Sequence, residues 1–153
     1  MVIIDRRIIT GLFLLLFMAT QSYAIGGTKS PKLHNTSVSR TMSKASEYVD
    51  QYKGAAMEQM RRYGIPASIT LAQGILESGS GQSELSRKGN NHFGIKATSS
   101  WLENGGSYLV YADDKPNEKF CQYASVADSY EHHSLFLKSN KRYSELFKLP
   151  PDD

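Results

Sequence analysis

The chain has 153 residues, a formal net charge of +3 and a single cysteine. This length is typical of one domain that is large enough to bury an apolar core of its own. The weak positive charge argues against a nucleic-acid-binding protein, which would carry a clustered basic face. Because Cys121 has no second cysteine to pair with, no intrachain disulfide can hold the domain together.

The first 24 residues have the pattern of a secretory signal peptide. Two arginines precede an apolar run over residues 8–20, and small residues occupy the −3 and −1 positions of a cleavage site after Ala24. We therefore expect a periplasmic or extracellular protein, with an uncleaved membrane anchor as the alternative. Residues 25–42 are rich in Gly, Ser, Thr and Lys, which indicates a flexible linker.

Two helices are predicted at the start of the domain, which we place at residues 43–153. Apolar residues recur at three- and four-residue spacing from Ser43 to Tyr63, which predicts an amphipathic helix. A second helix is predicted to start after Pro66 and to end at Glu77 or Ser78. Its expected apolar stripe consists of Leu71, Ala72, Ile75 and Leu76.

The remaining predicted elements are a short helix, a β-hairpin and two further helices, over residues 82–88, 107–123, 126–139 and 143–149. Two β-rich runs flank the polar segment 112–119, which predicts the hairpin and its long loop. Ser125 and Asp128 have the spacing of a capping box at the start of a helix. Helices followed by a small hairpin and more helices predict an α+β fold.

Glu77 is the first candidate for a catalytic residue. It lies in the last turn of a predicted helix, and Gly79 and Gly81 then turn the chain. A carboxylate at the negative end of a helix dipole is disfavoured, and desolvation would favour the protonated form further. A carboxyl group with a raised pKa is suited to general acid catalysis. The alternative is a helix-end glutamate in solvent.

Three segments together resemble the bacterial peptidoglycan glucosaminidase family, which includes autolysins and the hydrolase domain of flagellar rod-cap proteins. They are Leu-Ala-Gln-Gly-Ile-Leu-Glu-Ser-Gly-Ser-Gly at 71–81, Asn-Asn-His-Phe-Gly-Ile-Lys at 90–96, and Trp101. Phe-Cys-Gln-Tyr at 120–123 and Arg142-Tyr143 extend the likeness. The combination of the first two segments at this spacing is specific.

The resemblance implies a lysozyme-like fold in which helices and a β-hairpin flank a saccharide groove. It also implies cleavage of the β-1,4 bond between N-acetylglucosamine and N-acetylmuramic acid in the cell wall, with Glu77 as the catalytic acid. A second carboxylate would come from the hairpin, with Asp113 as first choice, then Asp114 and Glu118. An inverting mechanism needs such a base, whereas a substrate-assisted mechanism uses the acetamido group of the sugar, and the sequence leaves both open.

Sugar binding is expected to involve ring faces and polar neighbours in the groove. The candidates are Asn91, Phe93, Trp101, Tyr111 and Tyr123. The expected partner is the glycan strand of peptidoglycan, and we expect a monomer with no nucleic acid, cofactor or metal. A zinc site is not predicted, because His132 and His133 are adjacent on a predicted helix and no histidine pair has the spacing of one helical turn.

Two departures from the family pattern leave other functions open. Cys121 replaces a basic residue that the family usually has, and the family's later Gly-Tyr-Ala-Thr segment does not occur before Asp153. On this evidence we expect a C-terminally truncated domain with reduced stability and activity. A non-catalytic wall-binding remnant is therefore an alternative. A lytic transglycosylase is a weaker one, because its typical Gly-Leu-Met-Gln segment is replaced here by the sequence at 92–96.

Overall fold

The computed structural model describes residues 35–148 and, within them, the side chains of 42–144 and of Phe147. The predicted signal peptide, residues 25–34 of the predicted linker and the last five residues lie outside this range. The described elements, in chain order, are helices α1 to α4, strands β1 and β2, helix α5 and a 3₁₀ helix. Their bounds are Asn35–Tyr63, Ala67–Ser78, Glu84–Gly89, Ser99–Glu103, Tyr108–Tyr111, Glu118–Cys121, Val126–Ser139 and Lys141–Lys148.

The architecture confirms the predicted α+β class. The two strands form one antiparallel hairpin, in which Tyr108 pairs with Cys121 and Tyr111 pairs with Glu118. Helix α1 packs against α2 and α5. Within the described residues, no helix is both long and apolar enough to cross a membrane.

Several element bounds differ from the prediction, and one helix was not predicted. Helix α1 begins at Asn35, so residues 35–42 of the predicted linker are helical; once a helix has nucleated on a packed segment, each added residue gains a hydrogen bond at little further cost. Strand β2 begins two residues before Phe120, where pairing with β1 decides the start. Helix α4 was not predicted, because five residues are too few to show a helical period of apolar residues. Thr98 caps this helix by accepting a hydrogen bond from the Trp101 N–H at 3.2 Å.

Tyr48 lies at the centre of the core. Its hydroxyl is 2.8 Å from Nδ1 of His92 and 2.9 Å from the hydroxyl of Tyr130, and all three side chains are buried. We call these three residues the Tyr48 cluster. Burial raises the pKa of Tyr48 to about 12, so its hydroxyl stays protonated and can donate to one partner while accepting from the other. The cluster joins α1, α5 and the loop after α3.

Helix α2 approaches the Tyr48 cluster through Gly74. A Cβ atom at Gly74 would lie 2.3 Å from the Tyr48 hydroxyl oxygen, so only glycine permits this approach. The predicted apolar stripe is therefore partly wrong. Leu71 is buried, but Leu76 is 61% exposed. The inner face of α2 is instead formed by Thr70, Leu71, Gln73, Gly74 and Ser78.

Replacement of Gly74 by alanine should test this close contact. Alanine normally stabilises a helix interior by about 0.5–1 kcal/mol relative to glycine. At Gly74, however, we expect Gly74→Ala to lower the free energy of unfolding by about 1–3 kcal/mol, because the methyl group overpacks against a hydrogen-bonded tyrosine. Urea denaturation would measure the change.

The matched control is Gly54→Ala in α1, where no atom lies within 4 Å of the added methyl group. This variant should be more stable than the parent by the helix-propensity term alone. If both substitutions stabilise the protein equally, the close packing of α2 on Tyr48 is contradicted.

Histidines in the interior predict how stability depends on pH. Burial lowers the pKa of His92 to about 4 and that of His133 to about 3, from an ordinary value of 6.5. Between the ordinary pKa and the lowered native pKa, the unfolded chain binds protons that the native state does not. The contribution of each histidine to stability is therefore fully present above about pH 6.5. The free energy of unfolding should fall as the pH decreases from there, by about 1.4 kcal/mol per pH unit for each histidine.

Chemical denaturation at about pH 7 and about pH 5 would measure this loss, in a range where carboxylates contribute little. The variant His133→Phe keeps a ring against Phe93, on which His133 stacks at 3.9 Å between centroids, and removes the titrating group. Its stability should depend less steeply on pH. Equal free energies of unfolding for the parent protein at both pH values would refute the prediction.

Candidate active site

Glu77 is held at the end of α2 by a short turn with unusual backbone geometry. Gly79, Ser80 and Gly81 have φ angles of 58°, 58° and 75°, in the left-handed region. The N–H groups of Gly79 and Ser80 both bond to the carbonyl oxygen of Ile75. Ser78 adds two contacts, because its hydroxyl donates to the Gly74 carbonyl at 2.5 Å and accepts from the Gly81 N–H at 2.7 Å. The turn therefore fixes the helix end and leaves the Glu77 side chain half-buried.

The loop that follows α3 lies against Glu77. A Cβ atom at Gly94 would be 3.9 Å from Oε2 of Glu77, and Gly94 has a φ of 61° that favours glycine. Asn91 shapes this loop. Its amide nitrogen donates to the carbonyl oxygens of Ile95 and Cys121, both at 2.9 Å, and its amide oxygen accepts from the Ile95 N–H at 3.1 Å.

The hairpin acids come together around one lysine. Nζ of Lys96 lies 2.9 Å from Oε1 of Glu118, 3.4 Å from Oδ2 of Asp113 and 3.5 Å from Oδ2 of Asp114. Of the two aspartate side chains, Asp113 is 12% exposed and Asp114 is 50% exposed. The Lys96 ammonium is the main cause that lowers the pKa of Glu118. We call these four residues the Lys96 cluster.

The Lys96 cluster and Glu77 are linked by a short piece of chain. Only Ile95 separates Gly94, which lies near the Glu77 carboxyl group, from Lys96, which contacts the hairpin acids. Two residues span at most about 7 Å, so the two sets of carboxyl groups face the same segment. The sequence predicted both sets but gave Lys96 no role. Its place at the end of the family motif, in a chain whose predicted hairpin loop is acidic, was the available signal.

A cation could be coordinated by the hairpin acids on spacing alone. Asp113, Asp114 and Glu118 each offer one oxygen within 4.8 Å of the others. The positive charge among these oxygens is already supplied by Lys96. We therefore do not assign these carboxylates as metal ligands.

The predicted sugar-binding residues fall into two groups. Phe93 and Asn91 are each 1% exposed, and Tyr123 is also buried, so these side chains have no face open to a sugar. Phe93 packs between Tyr130 and His133, and Asn91 is used by the loop. We therefore propose supporting positions for these three residues. Trp101 and Tyr111 are only half-buried.

Trp101 belongs to an aromatic group that the sequence did not predict. Its indole ring stacks on the imidazole of His132 at 5.3 Å with an angle of 10° between planes, and its Nε1 donates to the carbonyl oxygen of Ser107 at 2.9 Å. Nδ1 of His132 is 2.8 Å from the Tyr123 hydroxyl. The indole is therefore rigidly held beside the start of the hairpin. A ring that is already held in one orientation loses little conformational entropy when it binds a ligand.

Comparison with known proteins agrees with this arrangement. Residues 53–153 match the glucosaminidase family model, described as mannosyl-glycoprotein endo-beta-N-acetylglucosaminidase. The chain is 26% identical over 152 residues to the exo-glucosaminidase LytG of Bacillus subtilis (strain 168), covering 94% of this chain and 52% of LytG. It is 32% identical over 105 residues to the peptidoglycan hydrolase FlgJ of Vibrio cholerae, covering 63% of this chain and 31% of FlgJ. The chain thus spans about half or less of these relatives.

The glycoside hydrolase domain of Salmonella typhimurium FlgJ has a similar solved structure, with a TM-score of 0.58 and 28% identity, over 69% of this chain and 67% of that domain. This likeness confirms the lysozyme-like fold. Since the family model covers residues 53–153 and the fold agrees, the chain belongs to the glucosaminidase family of glycoside hydrolases.

Proposed function

We propose that this chain is an exported peptidoglycan hydrolase that cleaves the β-1,4 bond between N-acetylglucosamine and N-acetylmuramic acid. The observation that carries the proposal is the placement of Glu77. It sits half-buried on a fixed turn, against the loop whose far end contacts the hairpin acids. The names of the relatives, an exo-glucosaminidase and a peptidoglycan hydrolase, support the substrate class. A cell-wall location in the periplasm or outside the cell follows from that substrate.

Glu77 acts as the general acid in this proposal. Its carboxyl group donates a proton to the glycosidic oxygen as the bond to the sugar breaks, which lets the leaving group depart as a neutral hydroxyl. The helix-end position disfavours the carboxylate, and the rigid turn keeps the carboxyl group in one place. Glu118 is unsuited to this role, because Lys96 lowers the pKa of its carboxyl group and so favours the ionised form.

Asp113 is the first candidate for the second carboxylate. It is the less exposed aspartate of the hairpin loop, and it lies two residues beyond the end of β1, which restricts its position. In an inverting reaction its carboxylate would take a proton from the attacking water. In a substrate-assisted reaction the acetamido oxygen of the sugar attacks instead, and the carboxylate would only stabilise the positive charge that develops.

The bond that is cut can be identified by mass spectrometry of the fragments released from purified peptidoglycan. The proposal expects new reducing ends on N-acetylglucosamine. New reducing ends on N-acetylmuramic acid would contradict it. Binding without cleavage would favour the non-catalytic wall-binding alternative, and fragments without any new reducing end would favour a transglycosylase.

Removal of the proposed acid should abolish activity. Glu77→Gln keeps the volume of the side chain but cannot donate the catalytic proton, so we expect turnover to fall by about 10²–10⁴-fold. The fold should persist, as measured by circular dichroism. Glu103→Gln is the matched control, because Glu103 is an exposed glutamate at the end of α4. A folded Glu77→Gln protein with the turnover of the parent would eliminate Glu77 as the acid.

Substitution of the hairpin acids should rank them and separate the two mechanisms. We expect Asp113→Asn to lower turnover more than Glu118→Gln, and Asp114→Asn to have the smallest effect, because the Asp114 side chain is half exposed. Loss of a required base would lower turnover by about 10²–10⁴-fold. Small and equal effects of all three would instead favour the substrate-assisted mechanism. Initial rates of peptidoglycan clearing would provide the comparison.

A further inference from the structure

Lys96 has a position that neither the family assignment nor the proposed acid and base explain. Its side chain is 25% exposed, and its ammonium lies within 3.5 Å of three carboxylates. These carboxylates come from two places on the hairpin, the loop at Asp113 and Asp114 and the start of β2 at Glu118. A single cation therefore contacts both ends of the hairpin loop.

The backbone at Lys96 is paired with the hairpin, independently of the contacts that its ammonium makes. The backbone of Lys96 forms a bridge with Phe120, and the N–H of Ala97 donates to the Lys119 carbonyl at 2.9 Å. The ammonium also lies 5.8 Å from the centre of the Phe120 ring, where a cation is attracted by the ring face. The paired backbone and the ring contact therefore already restrict the Lys96 side chain. Pairing with the carboxylates then costs less conformational entropy than it would for a free lysine.

Lys96 supplies positive charge among the hairpin acids. Three carboxylates with oxygens within 4.8 Å repel one another, and the nearby ammonium offsets this repulsion. The neighbouring lysines do not supply this charge. The ammonium of Lys119 lies over the ring of Tyr108. Lys115 contacts Glu118 through its backbone, because the Lys115 N–H donates to Oε2 of Glu118 at 3.3 Å. Glu77, on the other side of Gly94, is a further acid near this segment.

We propose that Lys96 is a positioning residue for the hydrolysis reaction, which supplies the positive charge that the hairpin acids share and holds Asp113 in place for catalysis with Glu77. This inference rests on the proposed function, because it assumes that a hairpin carboxylate takes part in catalysis. In this role Lys96 acts through Asp113.

The test compares the dependence of kcat/KM on pH in the parent protein, Lys96→Met and Lys96→Arg, with peptidoglycan as the substrate. An opposite charge within about 4–6 Å lowers the pKa of a carboxyl group by about 1–3 units. Its loss in Lys96→Met should move the acidic limb of the profile to higher pH by about one unit or more, so that kcat/KM falls about tenfold on that limb. Lys96→Arg keeps a cation and should leave the limb near its original position.

Lys119→Gln is the matched control. It removes the same charge from the adjacent strand, at an exposed lysine that contacts Tyr108 and none of the hairpin acids. Its acidic limb should not move. An equal loss of kcat/KM at every pH in Lys96→Met, with the limb unmoved, would show a merely structural role and overturn the proposal. A limb that moves as far in Lys96→Arg as in Lys96→Met would also overturn it.

A second measurement separates this inference from the proposed function. Carboxyl ¹³C NMR titration reads the pKa of Glu118 and Asp113 without any substrate. Glu118 in the parent protein should titrate below its ordinary value of 4.5, and Lys96→Met should raise it. An ordinary value in the parent protein would overturn the inference even if Lys96→Met did not fold. A parent protein that titrates as expected but releases no fragments from peptidoglycan would refute the proposed function alone.

Discussion

The close approach of α2 to Tyr48 is the contact on which the rest of the structure depends. Gly74 lies against the Tyr48 hydroxyl, and Gly81 lies against its ring, where an added Cβ would be 3.4 Å away. Both glycines flank Glu77 in sequence. The same hydroxyl bonds to His92 and Tyr130. One buried polar group therefore sets the position of the helix end that carries the candidate acid, relative to three other parts of the chain.

A buried hydroxyl is suited to this role because its bonds are directional. Apolar packing alone would permit α2 to slide or rotate at small cost, whereas an unsatisfied polar group in the core costs about 1–3 kcal/mol. The burial that lowers the pKa of His92 also keeps its ring neutral at neutral pH, so that Nδ1 can accept a hydrogen bond. Packing of the core and placement of Glu77 thus have a common physical origin.

A second, charged set of contacts holds the hairpin. The Tyr48 cluster joins the helices, and the Lys96 cluster joins the two ends of the hairpin loop. The loop containing Asn91 and Gly94 joins them, because Asn91 bonds to the backbone of both Ile95 and Cys121. Glu77 follows a neutral, buried hydrogen-bond cluster, whereas Glu118 contacts a lysine that lowers its pKa. Environments that differ in this way allow two carboxyl groups to take different protonation states at one pH.

The sequence by itself determined the elements whose signals are local. The glycine turn after Glu77, the capping box at Ser125 and the helix from Val126 to Ser139 were all predicted from residue types at fixed spacing. The resemblance to the glucosaminidase family depended on such segments too. These features follow from the chain because turn and cap chemistry is satisfied within a few residues.

Only the tertiary structure decided which face of each segment is buried and which charges meet. Leu76 is apolar but exposed, while Gln73 and Gly74 face inward, because contact with Tyr48 selects the face of α2. Phe93 looked suited to sugar stacking, yet its ring is enclosed by Tyr130 and His133. Lys96 pairs with acids up to 22 residues away in sequence. Such contacts depend on distances between elements, which local periodicity does not contain.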